Sequence, residues 1–264
     1  MLIEVTHRMK PHKLISTCRL LYQRRFVFRC AVLLATVLLY IFAPSQFDIL
    51  RGFSCFERFS VFQLLWVFWM VDMVLQLCPC RHYWPLGSQK FRPETFKPIT
   101  DRISNEGLLM YIKKCNRDTL LIGTLWFLLT LVIGALYFFT PLVDEAMLLV
   151  VTVFFYVCDI FCVLIWCPFK AWFMKNRCCT TCRIFNWDHM MMFAPLVFIP
   201  GFYTWSLAIA AFIVLFVWEL TFALHPERFW DGTNGALRCS NCTDRLCGER
   251  NCQADIPDIN LLKK

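Results

Sequence analysis

The sequence predicts an all-α integral membrane protein with six transmembrane helices, arranged as three hairpins, and a small cysteine-rich, metal-binding cytosolic face. Three observations carry this prediction. Hydrophobic side chains make up 58% of the 264 residues, and 17% are aromatic, which is more apolar than a soluble domain. Long apolar runs alternate with shorter polar segments. Most of the sixteen cysteines fall in polar segments that this arrangement brings to one side of the membrane.

The apolar runs define the crossings, because a hydrocarbon core about 30 Å thick takes about 20 helical residues. The predicted crossings cover residues 27–43, 61–77, 119–139, 146–166, 187–199 and 202–224. The last two belong to a single run, Met190 to Leu224, which is too long for one crossing and is interrupted by Pro200-Gly201. We interpret that run as a hairpin, which returns the chain to the side it left.

The first 25 residues carry six Lys and Arg side chains against a single acid, Glu4. This pattern predicts a basic amphipathic segment that lies on an anionic leaflet. A cleaved signal peptide is the alternative interpretation of the apolar run that follows. The charged leader is long and no small-x-small cleavage site stands out, so we expect the first crossing to be uncleaved.

The distribution of charge predicts the orientation. Of the 27 Lys and Arg residues, only Arg51 and Arg58 fall on the side opposite the amino terminus. The basic side holds residues 1–25, the loops 79–118 and 167–186, and the tail 226–264. By the positive-inside rule this side is cytosolic, with both termini on it. A chain with five crossings would place the basic tail outside, so six crossings are preferred.

Three helices that run toward the cytosol end alike, with an acid, a Cys-Pro or His-Pro step and a tryptophan. The acids are Asp72, Asp159 and Glu219, each roughly 9 to 12 Å inside the cytosolic end at about 1.5 Å per residue. A charge in hydrocarbon costs a few kcal/mol, so such groups face protein or water. We predict an intramembrane polar centre; alternatively each acid is neutral or bonded locally. Arg29 either snorkels or pairs with an acid.

The tail contains four cysteines with the spacing C-x2-C-x4-C-x4-C: Cys239, Cys242, Cys247 and Cys252. This spacing resembles the zinc knuckle of retroviral nucleocapsid proteins, with a cysteine in place of the knuckle's histidine. The resemblance covers residues 239–252 and implies a tetrahedral zinc site. Thr243 and Leu246 stand where the knuckle has glycine, and no aromatic residue is present to stack on a base. Nucleic-acid binding is therefore not expected.

A second set of candidate metal ligands lies in and around the loop 167–186. Its centre is Cys178, Cys179 and Cys182, and the other candidates are Cys167, Cys78, Cys80, His189 and His225. Alternatively, Cys179 and Cys182 join the first two tail cysteines in one four-cysteine site, and spacing does not choose between these pairings. Thiolates hold zinc and iron-sulfur clusters alike, but the compact C-x2-C-x2-C run of ferredoxins is absent. Zinc is therefore the preferred cofactor.

Three functions fit these features. The first is a membrane-embedded metal-dependent or redox enzyme that acts on a lipidic substrate. The second is a small cation or proton-coupled transporter or channel, in which the acids bind the ion and zinc sites are structural. The third is a membrane scaffold or assembly subunit, whose protein partners the sequence does not identify. The chain has no Gly-rich phosphate loop, H-E-x-x-H or G-x-S-x-G motif. Because thiols exceed what folding a helix bundle requires, the enzyme is preferred.

Overall fold

The computed structural model describes residues 17–78, 85–99, 105–176, 178–242, 244 and 246. Over these ranges the chain is helical and forms no β-strand. The four helices that are long and apolar enough to cross a membrane are α1 (Thr17–Phe42), α4 (Asn105–Phe139), α5 (Glu145–Leu164) and α7 (Phe202–Leu224). The shorter helices are α2 (Val61–Leu77), which is also apolar, α3 (Leu86–Gln89) and α6 (Asp188–Phe193). The described residues thus confirm the all-helical class, and four of their helices are long and apolar enough for an integral membrane protein.

Local sequence explains where the helices begin. The Ser60 side chain caps α2 by accepting a hydrogen bond from Phe62 N (3.3 Å), and Asp144 caps α5 by accepting one from Met147 N (2.7 Å). Helices α2 and α7 have the predicted bounds. Helices α1 and α4 begin earlier than predicted, because hydropathy marks the apolar part of a helix while its backbone hydrogen bonds continue through the polar turns before it.

Residues 187–199, predicted as a short crossing, form a broken helix. A 3-10 turn over Phe185–Trp187 leads into α6, and a second 3-10 segment, Ala194–Phe198, follows it. Pro195 lacks the backbone N–H that would continue the α-helical pattern. Irregular backbone is tolerated at membrane depth where protein surrounds it, and Phe193 is 1% exposed.

The core lies between these helices. Helix α1 packs against α5, α2 packs against α7, and α6 contacts both α5 and α7. The fully buried Trp69 of α2 is at the centre, edge-on to Tyr156 of α5 (5.8 Å between ring centroids) and to Phe193 of α6 (5.1 Å). These contacts fix α2, α5 and α6 around one another.

The connections before α2, before α5 and before α7 meet at one end of the bundle. Gly52 N donates to Pro200 O (2.9 Å), and Phe202 N donates to Gly52 O (2.8 Å). Arg51 in the same loop forms an ion pair with Glu145 at the start of α5. These are the three connections that the charge pattern assigns to the non-cytosolic side.

The loops after α2, α5 and α7 meet at the other end. Asn186 Nδ2 donates to Ser88 O (3.2 Å), and Arg228 Nη1 donates to Phe91 O (3.1 Å). Asp244 in the tail accepts a hydrogen bond from the backbone N–H that opens α3 (2.6 Å). Residues 1–16 and 247–264, which hold most of the predicted basic segment and the end of the tail, lie outside the described residues.

Candidate functional site

A polar cleft lies among α1, α2, α5 and the turn that precedes α6. Its charged and amide side chains are Arg25, Arg29, Asp72, Gln76, Asp159, Asn186 and Asp188. Two of the three predicted intramembrane acids, one from α2 and one from α5, therefore lie in the same cleft.

Arg29 on α1 is buried and forms an ion pair with the partly buried Asp159 on α5. Its Nη1 lies 2.5 Å from Asp159 Oδ2 and 2.7 Å from Tyr156 O, and the guanidinium stacks 3.9 Å from the centroid of the Tyr156 ring. Arg29 is only 8% exposed. The sequence predicts that Arg29 either snorkels or pairs with an acid, and the structure shows the pairing. The carboxylate, the carbonyl and the aromatic face together offset the free-energy cost of removing the guanidinium from water.

His189 lies between two carboxylates. Its Nε2 is 3.3 Å from Asp72 Oδ2, and its Nδ1 is 3.3 Å from Asp188 Oδ1. The residue is buried, and both ring nitrogens face acids. His189 was predicted as a metal ligand, and in this arrangement it would bind a metal only by giving up one of these contacts.

Glu219, the third predicted acid, lies in a separate polar site. It pairs with Arg183, and its Oε1 accepts a hydrogen bond from Trp187 Nε1 (2.8 Å). Arg183 Nη1 also donates to Asn116 Oδ1 (3.1 Å). This second site opens onto a groove along α4. Each of the three acids thus has a basic partner, but only Asp72 and Asp159 lie in the same cleft.

Five cysteines line an apolar cavity of about 350 Å³ between α5, the turn that follows it and the segment leading into α6. They are Cys158, Cys162, Cys167, Cys179 and Cys182. Aromatic side chains, Trp126, Phe155 and Trp166 among them, form much of the remaining wall, and Asp159 and Asp188 lie at its edge. Pockets that bind small molecules are about 300–1,000 Å³ and mostly apolar with a few polar groups, so this cavity has the properties of a ligand site.

The loop thiols of this cavity differ in their environments. Burial raises the pKa of Cys179 to about 12 and that of Cys182 to about 11, which keeps both as thiols at neutral pH. Cys167 instead accepts hydrogen bonds from the Cys162 thiol and from Lys170 N (3.4 Å), and these lower its pKa to about 6. Cys167 is therefore the most acidic of these three loop thiols.

A fully buried lysine, Lys90, supports the cysteine turn 178–182. Its Nζ donates to Thr180 O (3.0 Å) and to Cys182 O, and lies 5.3 Å from the centroid of a Trp218 ring. Burial lowers the pKa of Lys90 to about 8. The ammonium replaces the water that these carbonyl oxygens would otherwise bind, and so it ties the loop after α2 to the loop after α5.

No group of three or more His, Cys, Asp or Glu residues in the described part of the chain is placed to hold a metal ion. The alternative four-cysteine site that combines Cys179 and Cys182 with Cys239 and Cys242 is accordingly not formed. Cys178 accepts a hydrogen bond from Thr180 N (3.3 Å), and His225 Nδ1 lies 3.1 Å from Glu227 Oε1. Cys78 is at the end of α2, and Cys80, Cys247 and Cys252 lie outside the described residues. The zinc site stays a prediction.

Sequence reasoning did not assign a role to four residues of these sites: Gln76, Lys90, Arg183 and Asn186. Gln76 had a signal, since it is an amide in the otherwise apolar last turns of α2. Lys90 and Arg183 had none, because each is one of many cations in polar loops. Only the three-dimensional structure shows that they are buried and which groups they contact.

Comparison with known proteins gives no relative for this arrangement. No protein-family model matches the chain, and no curated protein or solved structure is significantly similar to it. Function must therefore be inferred from the sites themselves.

Proposed function

We propose that the chain crosses the membrane six times with both termini in the cytosol, α2 and the broken segment 185–198 serving as the second and fifth crossings. The contacts at the two ends of the bundle support this topology. The first turn of the broken segment contains Asn186, which bonds to Ser88 at one end of the bundle. The segment leads to Pro200, which bonds to Gly52 at the other end. Three connections thus meet at one end, and two connections and the tail meet at the other, as three hairpins require.

We further propose that the protein is a membrane-embedded, thiol-dependent enzyme that acts on a lipidic substrate, with zinc held by cytosolic thiolates. The observation that carries this proposal is the apolar cavity that five cysteines line. Its outer wall includes Trp166 and Phe161, which are 46% and 37% exposed on the surface that faces lipid in the proposed topology. A lipid chain could enter from the bilayer, and the thiols and Asp159 would then lie beside it.

Metal and lipid analysis of purified protein tests this proposal. We expect stoichiometric zinc and a retained lipid, with zinc lost in Cys182→Ser or Cys239→Ser according to which cluster binds it. Cys30→Ser, a cysteine on α1 away from these clusters, is the matched control. If the purified protein is coloured and its absorbance falls on reduction, the cofactor is an iron-sulfur centre and not zinc. Protein that carries neither metal nor lipid would contradict the proposal.

The transport alternative has weaker support. Each intramembrane acid already faces a basic partner: Arg29, His189 or Arg183. A transported cation would have to compete with these partners for the carboxylates. Flux in proteoliposomes that is abolished by Asp159→Asn and retained in Cys239→Ser would nevertheless favour transport over the enzyme.

The basic cytosolic face supports contact with anionic lipids. The orientation proposed above gathers nearly all the Lys and Arg side chains on this side. Cationic residues near an anionic leaflet each contribute about 1 kcal/mol of attraction. Co-purified lipids enriched in anionic headgroups, and depleted by high salt, would bear this out.

A further inference from the structure

The groove along α4 lies on the outer surface of the bundle. Its α4 wall extends from Asn116 to Phe127, and Trp187 and Glu219 line it on the other side. It has a volume of about 570 Å³ and is mostly apolar. Leu120 and Phe127 in its wall are 72% and 62% exposed, so in the proposed topology the groove is open to the bilayer.

The side chains of the groove are fixed and compensated. Gly123 contributes no side chain, and the neighbouring Trp187 indole is held by the hydrogen bond that its Nε1 donates to Glu219 Oε1 (2.8 Å). Glu219, the acid among the lining residues, is paired with Arg183. The Thr119 hydroxyl has no hydrogen-bond partner but is buried beneath the surface, and we assign it no contact. The accessible surface is therefore mainly apolar.

The length of the groove matches one leaflet of a membrane. Asn116 and Phe127 are eleven positions apart, which is about 16 Å along a helix at about 1.5 Å per residue. Half of a hydrocarbon core about 30 Å thick is about 15 Å. The predicted crossing begins at residue 119, so the Asn116 end lies at the cytosolic headgroups. The groove thus has the length of an acyl chain in the cytosolic leaflet.

Two cations lie on the same face of α4 at the cytosolic end of the groove. Lys113 is three positions before Asn116 and seven before Leu120, and Arg117 is three before Leu120. Residues at these spacings are neighbours on one face of a helix. Both cations are exposed. They are therefore placed at the level of lipid phosphates, beside the mouth of the groove.

These cations and a nearby amide have donors to spare. Lys113 makes no ion pair or hydrogen bond with the described residues. Arg117 contacts Asp118 Oδ1 through Nε (3.2 Å) and Nη2 (3.1 Å), and its side chain is still 75% exposed. Asn116 Oδ1 accepts from Arg183, which leaves the amide nitrogen as a donor. With Asp118 counted, the group keeps a positive charge, which is complementary to an anionic headgroup.

A second copy of the chain fits this face less well. Two copies in one membrane have the same orientation, so a twofold axis brings a residue near its own counterpart. Contact along the groove would bring the Lys113 side chains of the two copies together, and those of Arg117 likewise. Like charges at close range oppose such an association.

We propose that the groove binds an anionic glycerophospholipid of the cytosolic leaflet, with one acyl chain along Gly123 and Trp187 and the phosphate at Lys113 and Arg117. This inference rests on the proposed topology, and it narrows the proposed contact with anionic lipids to one site. The proposed thiol-dependent chemistry does not depend on it.

Photo-crosslinking tests the proposal on the full chain in detergent. The probe is phosphatidylglycerol with a photoreactive diazirine in one acyl chain, and mass spectrometry maps its adducts. The competitors are unlabelled phosphatidylglycerol and phosphatidylcholine with identical acyl chains, which differ in net charge. We expect adducts on groove residues such as Leu120 and Phe127, and about tenfold better competition by phosphatidylglycerol.

Lysine variants test the headgroup site. Lys113→Gln should lower the tenfold preference to about threefold, because one of two cations is lost, and Lys113→Arg should retain it. Lys114→Gln is the matched control. It removes the same charge one position along, on a face of α4 that does not line the groove, and should compete like the parent.

Bulky variants test the acyl-chain site. Gly123→Leu fills the groove and should abolish the adducts on Phe127. Thr124→Phe adds bulk at an exposed lining position and serves if Gly123→Leu fails to fold. Leu121→Phe is the control, since Leu121 is 49% exposed on α4 and outside the groove lining. Size-exclusion profiles identify any variant that fails to fold.

Each contrary outcome has a distinct meaning. Equal competition by the two lipids would overturn the anionic headgroup site. A tenfold preference that Lys113→Gln leaves unchanged would overturn the groove as its location, while the broader contact of the cytosolic face with anionic lipids would stand. Absence of groove adducts, together with a dimer that Gly123→Leu converts to a monomer, would assign the groove to a second copy of the chain and overturn the inference.

Discussion

The ion pair between Arg29 and Asp159 joins two side chains that are 130 positions apart in the sequence. Breaking a buried pair from one side leaves an uncompensated charge, which typically costs about 3–5 kcal/mol. Asp159→Leu should therefore lower the free energy of unfolding by that amount. The double variant Arg29→Met/Asp159→Leu should recover most of the loss, because no buried charge then remains.

Unfolding in detergent with a denaturant titration measures this effect. Asp48→Leu is the matched control, because Asp48 pairs with Arg58 at 3.8 Å and its side chain is 60% exposed. Exposed pairs contribute at most about 1 kcal/mol. If Asp159→Leu proves as mild as the control, the ion pair does not stabilise the fold as described.

Cys55 provides a pH-dependent test at a single side chain. It lies in the loop before α2, where burial raises the pKa of its thiol. Only the thiolate reacts with alkylating reagents, so its labelling rate should still be rising at a pH where an exposed thiol, with a pKa of about 8.5, has levelled off. Rates measured by mass spectrometry between pH 7 and 10, against a free cysteine peptide, check this. Matching pH profiles for the two would refute it.

The limits of sequence-based prediction are clearest for Glu219 and its partner. The acid was identifiable because a charge in an apolar run is conspicuous. Its partner, Arg183, follows Cys182 in a polar loop and carries no periodicity or motif. Pairing between residues that are far apart in the sequence depends on how the helices pack. A single sequence does not show which of these residues lie close together in space. His189 illustrates the same limit, since nothing in the sequence indicated that both of its ring nitrogens face carboxylates.

The helix ends that could be predicted from the sequence are those set by nearby residues, such as a capping side chain or a proline. Helices α2 and α7 begin and end where apolar runs meet a cap or a proline. The segment containing α6 differs, because its apolar composition suits a continuous helix while Pro195 and the packing around it favour two 3-10 turns. Burial against α5 and α7 compensates for the lost helical hydrogen bonds, and burial of this kind is a property of the whole bundle.

The loop before α7 gives a prediction about one such element. A Cβ atom at Gly201 would overlap Leu50 O and lie 3.2 Å from Gly52 N. Because backbone atoms cannot move aside as a flexible side chain can, Gly201→Ala should lower the free energy of unfolding by about 1–3 kcal/mol or more. Gly123→Ala is the control, since its Cβ would make only an ordinary contact of 3.5 Å with Trp187. Thermal unfolding midpoints in one detergent compare them, and equal midpoints would argue against the close approach of the two loops.

For the molecule as a whole, the apolar composition and the long apolar runs together were enough to predict a helical membrane protein, because a soluble domain is less apolar than this chain. That the two sites share wall residues was not predictable. The thiol-lined cavity and the polar cleft depend on how α5 packs between α1 and the segment that contains α6. That packing sets which faces of the helices meet, and the hydropathy of each helix leaves it undetermined.

The proposed topology predicts which native cysteines react on each side of the membrane. A charged, impermeant thiol reagent applied to intact cells should label Cys55. Cys78 and Cys239, which are partly exposed at the other end of the bundle, should react only after lysis. Mass spectrometry identifies the labelled residues without any substitution. Labelling of Cys239 from outside would exclude the six-crossing arrangement with cytosolic termini.

The pairing of Arg29 with Asp159 also bears on how the chain is made. During synthesis α1 leaves the ribosome long before α5 exists, and its guanidinium then has no carboxylate to meet. An arginine in a membrane helix raises the free energy of insertion by up to about 2.5–3.5 kcal/mol. The first helix therefore gains its full stability in the bilayer only when the later hairpin arrives. Until then it depends on the insertion machinery or on the interface, so the biogenesis of the two halves is coupled.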